Sequence, residues 1–158
     1  MKALLCWTFV AVAAVGGVSV ALSAHSKSDT SAKGRLIGAW RLARIDAPVP
    51  DGRYTSMTQP EGMLIYTRDG HMSVQLMYPK SAKMPNNEYV QDGYEASFGS
   101  YDVDEAKHAV THHVRGSNTR DLLVGKDLPR LFQITDDGKL IIRSARPDEH
   151  WSVTWERY

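Results

Sequence analysis

Two short segments, Arg68-Asp69-Gly70 and Asp136-Asp137-Gly138, constrain what this chain can fold into more than any other feature. Each lies between apolar stretches and ends in glycine. A three-residue hairpin loop needs its last residue in the left-handed region, which glycine enters without a Cβ clash. Read as hairpins, the two segments pair four strands residue by residue. In the first, Thr67 opposes His71, so Tyr66 faces Met72 and Leu64 faces Val74. In the second, Thr135 opposes Lys139, which sets Ile134 against Leu140, Phe132 against Ile142 and Arg130 against Ser144. Strand side chains alternate, so one face carries Leu64, Tyr66, Met72, Val74, Leu76, Leu128, Arg130, Phe132, Ile134, Leu140 and Ile142. That face is the expected interior.

Beyond Leu36 short apolar stretches recur between turn signals, and no window keeps a helical apolar period for long. The pattern predicts eight strands: Leu36–Ile45, Gly62–Thr67, His71–Tyr78, Ser97–Val103, Ala109–Arg115, Leu128–Thr135, Lys139–Ser144 and His150–Arg157. The last alternates Trp151, Val153, Trp155 and Arg157 against Ser152, Thr154 and Glu156. A short helical turn is expected over Asn87–Tyr94. Antiparallel strands that each bury one face lose their exposed edges by closing into an up-and-down barrel, and eight strands can hold one small ligand. A β-sandwich is the alternative architecture. An inward Arg130 favours a barrel with a cavity, because a sandwich core rarely offers a guanidinium a partner. The expected fold class is therefore all-β, an eight-stranded antiparallel up-and-down barrel.

The N-terminus reads differently. Met1-Lys2 precedes an uncharged run from Ala3 to Leu22, then Ser23-Ala24-His25-Ser26, whose small residues suit signal-peptidase cleavage. Residues 1–24 are read as a signal peptide, with an uncleaved membrane anchor as the alternative, because the run matches the length of a spanning helix. Residues 25–35 form a polar linker, and 36–158 the barrel domain. Either leader implies an exported protein, periplasmic or secreted, that meets a membrane only through this segment and only if it stays uncleaved. Lys+Arg 19 against Asp+Glu 18 gives a net charge of +1, which argues against a nucleic-acid partner. The single cysteine, Cys6, lies in the leader, so the body has no disulfide and no thiolate metal site.

Further residues resemble a known family. Gly38-Ala39-Trp40 resembles the Gly-x-Trp motif of lipocalins, and Trp155-Glu156-Arg157 supplies an arginine that could lie over that tryptophan. Leu36–Leu42, Gly62–Thr67, Asp69–Leu76, Phe98–Asp104 and Val110–Val114 together are similar to the bacterial and fungal lipocalin-like domain family. The resemblance runs from about Leu36 to Tyr158. It implies a small single-domain barrel with a cavity, closed at its bottom by Trp40 and Arg157.

Carrying the register onward, Val103 opposes Val110, which pairs Tyr101 with His112 and Gly99 with Val114. His112 then points inward and His113 outward. The candidate ligand-binding set is Tyr66, Gln75, Tyr101, His112, Arg130 and Ser144. Arginine supplies a charged fork for a carboxylate or enolate, and histidine can move a proton next to a carbonyl. Three readings stay open. One is a carrier for a small, largely apolar ligand with an acidic or carbonyl group. Another is a cyclase- or isomerase-type enzyme with His112 as catalytic proton carrier and Arg130 stabilising negative charge. The third is a filled barrel serving as a structural or dimerisation module through outer residues such as Ile65 and Ile141, with His112, Tyr101 and Arg130 as core packing. No metal or cofactor is expected: His112 and His113 are adjacent on a strand and face opposite sides, and no phosphate-cradling glycine loop occurs. The long connection from Met77 to Ser97 is either a lid or a plain excursion.

Overall fold

The computed structural model describes residues 30–48, 54–57 and 60–158. The apolar leader and the cleavage point expected at its end lie outside the described residues. Among the described residues nine strands run in chain order: β1 Gly38–Pro48, β2 Tyr54–Met57, β3 Glu61–Tyr66, β4 His71–Met77, β5 Tyr94–Asp104, β6 Ala109–Ser117, β7 Asp127–Ile134, β8 Leu140–Ser144 and β9 Ser152–Arg157. All pairings are antiparallel, and β1 pairs with β9 to close the sheet. The closed barrel uses eight of them, β1 and β3 to β9. The remaining strand, β2, is an addition that the sequence pattern did not show, and it lies against the far half of β1, Ile45 opposite Met57.

Both glycine-ended turns form as expected. Thr67 N–H donates to the His71 carbonyl at 2.9 Å and Thr135 N–H to that of Lys139 at 2.9 Å, while Gly70 and Gly138 adopt φ of +89° and +81°. The two threonines share a further device: each hydroxyl donates to the aspartate two residues on and accepts from the backbone N–H that closes the loop at 3.0 Å. The predicted partners hold throughout, Leu64 with Val74, Arg130 with Ser144, and Tyr101 with His112.

Strand β1 is not a single alternating run. Between Leu42 and Arg44 its register against β9 shifts by one residue, a β-bulge at Ala43. Trp40 and Leu42 point inward before it; Ile45 and Ala47 do so after it. The bulge thus moves the phase so that both halves of a long, bent strand face the core.

A short helix, α1 (Ala32–Leu36), precedes β1 where a polar linker was expected. The Ser31 hydroxyl caps it by accepting from Gly34 N–H at 2.9 Å, and Leu36 is fully buried. Burial of one leucine under the barrel and one cap outweigh the polar composition of the preceding residues. Leu36 O accepts from Trp40 Nε1 at 2.8 Å. Over the Trp40 ring lies the Arg157 guanidinium, its carbon 3.8 Å from the ring centroid, which also donates to the carbonyls of Ile37 and Arg35. Gly38 has φ +131°, and a Cβ there would stand 2.2 Å from the Arg157 guanidinium. The glycine of the Gly-x-Trp motif is the space that this arginine occupies.

The helical turn expected over Asn87–Tyr94 does not form. The side-chain oxygen of Asn87 accepts from Tyr89 N–H at 2.8 Å and from Val90 N–H at 2.9 Å, and that of Asn86 from Asp92 N–H at 2.8 Å. These local bonds satisfy backbone donors that a helix would otherwise need, and they win. A 3₁₀ turn forms instead at Lys80–Ala82, and a second short helix, α2, at Arg120–Leu123.

Candidate functional site

The half of the barrel around Trp40 is packed solid, with Trp40, Leu64, Tyr66, Tyr101, Val110 and Leu140 each less than 2% exposed. The other half is hollow. A cavity of about 640 Å³ extends from Leu64 and His112 outward to the segments 84–90 and 146–151. A filled barrel, one of the readings the sequence left open, is therefore not what the chain builds. Apolar walls come from Ile45, Val74, Leu76, Leu128, Ile142 and Val153, all alternating inward as strand geometry requires.

Only part of the predicted ligand set reaches this space. His112 and Arg130 line it. Tyr66 and Tyr101 lie beneath its floor, their ring centroids 4.7 Å apart, with the Tyr101 hydroxyl donating to Thr67 O at 2.9 Å. Gln75 is exposed on the outer face, because it sits between the inward residues Val74 and Leu76. Ser144 is buried beside the neighbouring loop, accepting from Arg146 N–H at 3.0 Å, and does not line the cavity. Trp40 and Arg157 close the far end, as the resemblance implied.

His112 is locked from below. Its Nε2 is 2.6 Å from the Tyr66 hydroxyl, and burial, reinforced by the charges of Arg130 and His113, pushes the imidazole down to about 3. The ring is thus neutral. Burial also raises the Tyr66 phenol far above its ordinary value, so the phenol stays protonated. The Tyr66 hydroxyl proton has no other acceptor among the described residues, so Tyr66 donates to Nε2 and the imidazole proton is left on Nδ1, which bonds to no protein group among them. The basic lone pair of His112 is already taken. In that tautomer His112 offers Nδ1–H as a hydrogen-bond donor.

Arg130 is 4% exposed, from the middle of β7. Its guanidinium carbon lies 4.8 Å from the Trp151 ring centroid and 5.2 Å from that of Tyr89, held by two aromatic faces. Its polar contacts are Pro129 O at 3.3 Å, Glu149 at 3.9 Å and the Tyr89 hydroxyl.

Glu149 is the better-committed partner. Burial alone would raise its carboxyl, but hydrogen bonds from Ser144, Tyr89, Arg146 and Trp151 outweigh that and hold it below the ordinary value. Arg146 reaches it at 2.7 Å, Tyr89 Oη at 3.0 Å and Trp151 Nε1 at 3.1 Å. Arg146 also pairs with Glu88 at 2.6 Å. This network ties the long connection after β4 to the β8–β9 loop and brings Tyr89 over the cavity, so that connection forms part of the cavity wall.

Another carboxylate of the cavity, Glu95, was also missed. It stands opposite Leu76 at the start of β5 and receives one hydrogen bond, from Tyr78 Oη at 3.3 Å. Burial pushes it up to about 7, against the opposing pull of the Arg130 charge and the Tyr78 hydroxyl. The sequence carried a usable signal: Ser97, Gly99 and Tyr101 alternate inward, and one further step of the same alternation reaches Glu95. Starting the strand at Ser97 hid it.

Comparison with curated proteins finds no match. The lipocalin-like domain model matches residues 37–158, which span the whole barrel and most of the chain. With its closed antiparallel sheet, the arginine-capped tryptophan and an interior cavity, the chain belongs to the lipocalin-like domain family.

Proposed function

We propose that this is an exported carrier for a small, largely apolar molecule bearing an acidic or carbonyl group, bound inside the barrel with that group at Arg130 and His112. At the general level a lipocalin-like barrel with such a cavity is a small-molecule binder. Its volume of about 640 Å³ falls in the range of sites that enclose a drug-sized ligand. The observation that carries the finer reading is Arg130, a guanidinium 4% exposed in the cavity wall, whose five donors meet a backbone carbonyl at 3.3 Å, the Tyr89 hydroxyl and, at 3.9 Å, Glu149. A buried charge with unmet donors is costly, and a ligand oxygen that accepts from it recovers that cost. The Nδ1–H of His112 offers a second, neutral donor, while apolar strand residues supply affinity.

Titration with anilinonaphthalene sulfonate, an apolar anion whose fluorescence rises on burial, tests the reading. Arg130→Met keeps the aliphatic packing between Tyr89 and Trp151 and removes the fork. The expected result is saturable binding to the wild-type protein, weakened about tenfold or more in the variant, the scale of one lost charge-assisted hydrogen bond. Equal affinity in the two proteins would refute the assignment of Arg130.

A further inference from the structure

Four carboxylates line the cavity, Glu88, Glu95, Asp148 and Glu149, and the environments of Glu149 and Glu95 treat them oppositely. Glu149 is saturated by Arg146, Tyr89 and Trp151 and remains ionised as a fixed part of the wall. Glu95 has no ion-pair partner within bonding distance among the described residues and one long hydrogen bond. That bond joins the end of β4 to β5, two strands already held together by their backbone pairing. The groups that act on it are Tyr78, just past the end of β4, and Arg130 on β7; the neighbouring inward residues Val74, Leu76 and Leu128 are apolar. Pairs of titratable groups whose surroundings drive them apart mark a division between a fixed charge and a proton-transferring group. Burial brings Glu95 to about 7, where it can take up and return a proton near neutrality. A carboxyl kept in the cavity with one hydrogen bond, at 3.3 Å, costs stability once ionised, so its presence calls for a role.

We propose that the cavity catalyses proton transfer at the carbon next to a carbonyl, with Glu95 as the base and acid and Arg130 stabilising the enolate, so that the ligand is a substrate isomerised in place. The inference rests on the ligand-binding reading above and deepens it by naming the substrate class: apolar, enolisable ketones, including those with a neighbouring double bond. The Glu95 carboxylate takes the proton from the carbon beside the carbonyl. The C–H electron pair forms a carbon–carbon double bond, and the carbonyl π pair moves to oxygen. That oxygen, now an enolate, accepts from the Arg130 guanidinium and from His112 Nδ1–H. Glu95, now a carboxylic acid, returns the proton to the same carbon or to the far end of the conjugated system, and the carbonyl re-forms. Every atom and electron is conserved, and no oxidant, reductant or second substrate is needed.

β-Tetralone, a small apolar ketone with an acidic C–H beside its carbonyl, serves as probe. Binding is read by quenching of tryptophan fluorescence, since Trp151 and Trp155 line the cavity. Catalysis is read by proton NMR as exchange of that C–H in deuterated buffer, above the buffer rate. The expected result is exchange that Glu95→Gln lowers about a hundredfold with β-tetralone still bound, the scale of one lost acid–base group. Glu95→Asp, which keeps the carboxyl but draws it back, should give an intermediate rate. Binding without exchange above buffer, or wild-type exchange in folded Glu95→Gln, overturns the inference and leaves the carrier reading standing. Failure of the wild-type protein to bind β-tetralone and anilinonaphthalene sulfonate alike overturns both. Should Glu95→Gln not fold, the wild-type profile decides: exchange above buffer must rise with pH to a plateau as Glu95 ionises, and a flat profile overturns the assignment.

Discussion

Glu95 also makes a prediction that needs no ligand. Its carboxyl ordinarily titrates at 4.5 and in the folded protein at about 7, so between those values the folded state holds a proton that the unfolded state has released. Stability must therefore fall as pH rises through this window and level off above it. At about 1.4 kcal/mol for each tenfold change in acidity, the ionised carboxylate destabilises the fold by about 3 kcal/mol relative to the protonated one. Glutamine has the shape of the protonated acid and cannot ionise. Urea denaturation followed by tryptophan fluorescence, on wild type and Glu95→Gln at about pH 5 and about pH 9, isolates the effect because other titrating groups contribute equally to both proteins. The variant should gain on the wild type by up to about 3 kcal/mol across this range, with most of the gain below neutrality. A stability difference between the two proteins that stays constant with pH would refute the reasoning, whichever protein is the more stable.

Two other substitutions test parts of the structure remote from the cavity. Gly38→Ala puts a Cβ against the Arg157 guanidinium at a φ of +131°, and the strain of such a conformation costs about 1 to 3 kcal/mol. A lowered urea midpoint checks it, and an unchanged midpoint would mean that Arg157 can leave Trp40 freely. On the outer face His113 donates from Nδ1 to Asp127 at 2.6 Å and from Nε2 to Asp102 at 3.0 Å, which holds its imidazolium above the ordinary 6.5. A raised histidine stabilises fully below 6.5 and loses that contribution as pH climbs through its folded value. His113→Gln should therefore be less stable than wild type in mild acid and approach it in alkali; a pH-independent difference in thermal midpoint would contradict the clamp.

Legibility tracked the range of the interaction. The two turns were readable because threonine, aspartate and glycine close them within five residues, Thr67 to His71 and Thr135 to Lys139, and every bond involved is local. Once they were placed, the alternation of strands carried the pairing outward to Arg130 with Ser144 and Tyr101 with His112. It failed wherever a backbone irregularity changed the phase or extended an element. The bulge at Ala43 brings Ile45 and Ala47 to the cavity, and no residue type in Leu42-Ala43-Arg44 announces it. In Asn87–Tyr94 a helical reading of composition lost to asparagine side chains bonding the backbone.

By itself the sequence determined the barrel: strand number within the closed sheet, hairpin register, the inward face, and the Trp40–Arg157 closure follow from local turn chemistry and the two-residue period. Tertiary structure decided where the barrel is solid and where it is hollow. Tyr66 and Tyr101 share a face with Arg130, yet the first two pack against each other beneath the floor while Arg130 stands in the cavity between Tyr89 and Trp151. The pairing of Glu149 with Arg146 and the isolation of Glu95 likewise depend on loops that meet across the barrel end. Alternation says which side of a sheet a residue faces. Depth along the barrel, and therefore dielectric and protonation, depends on what the distant chain puts over it.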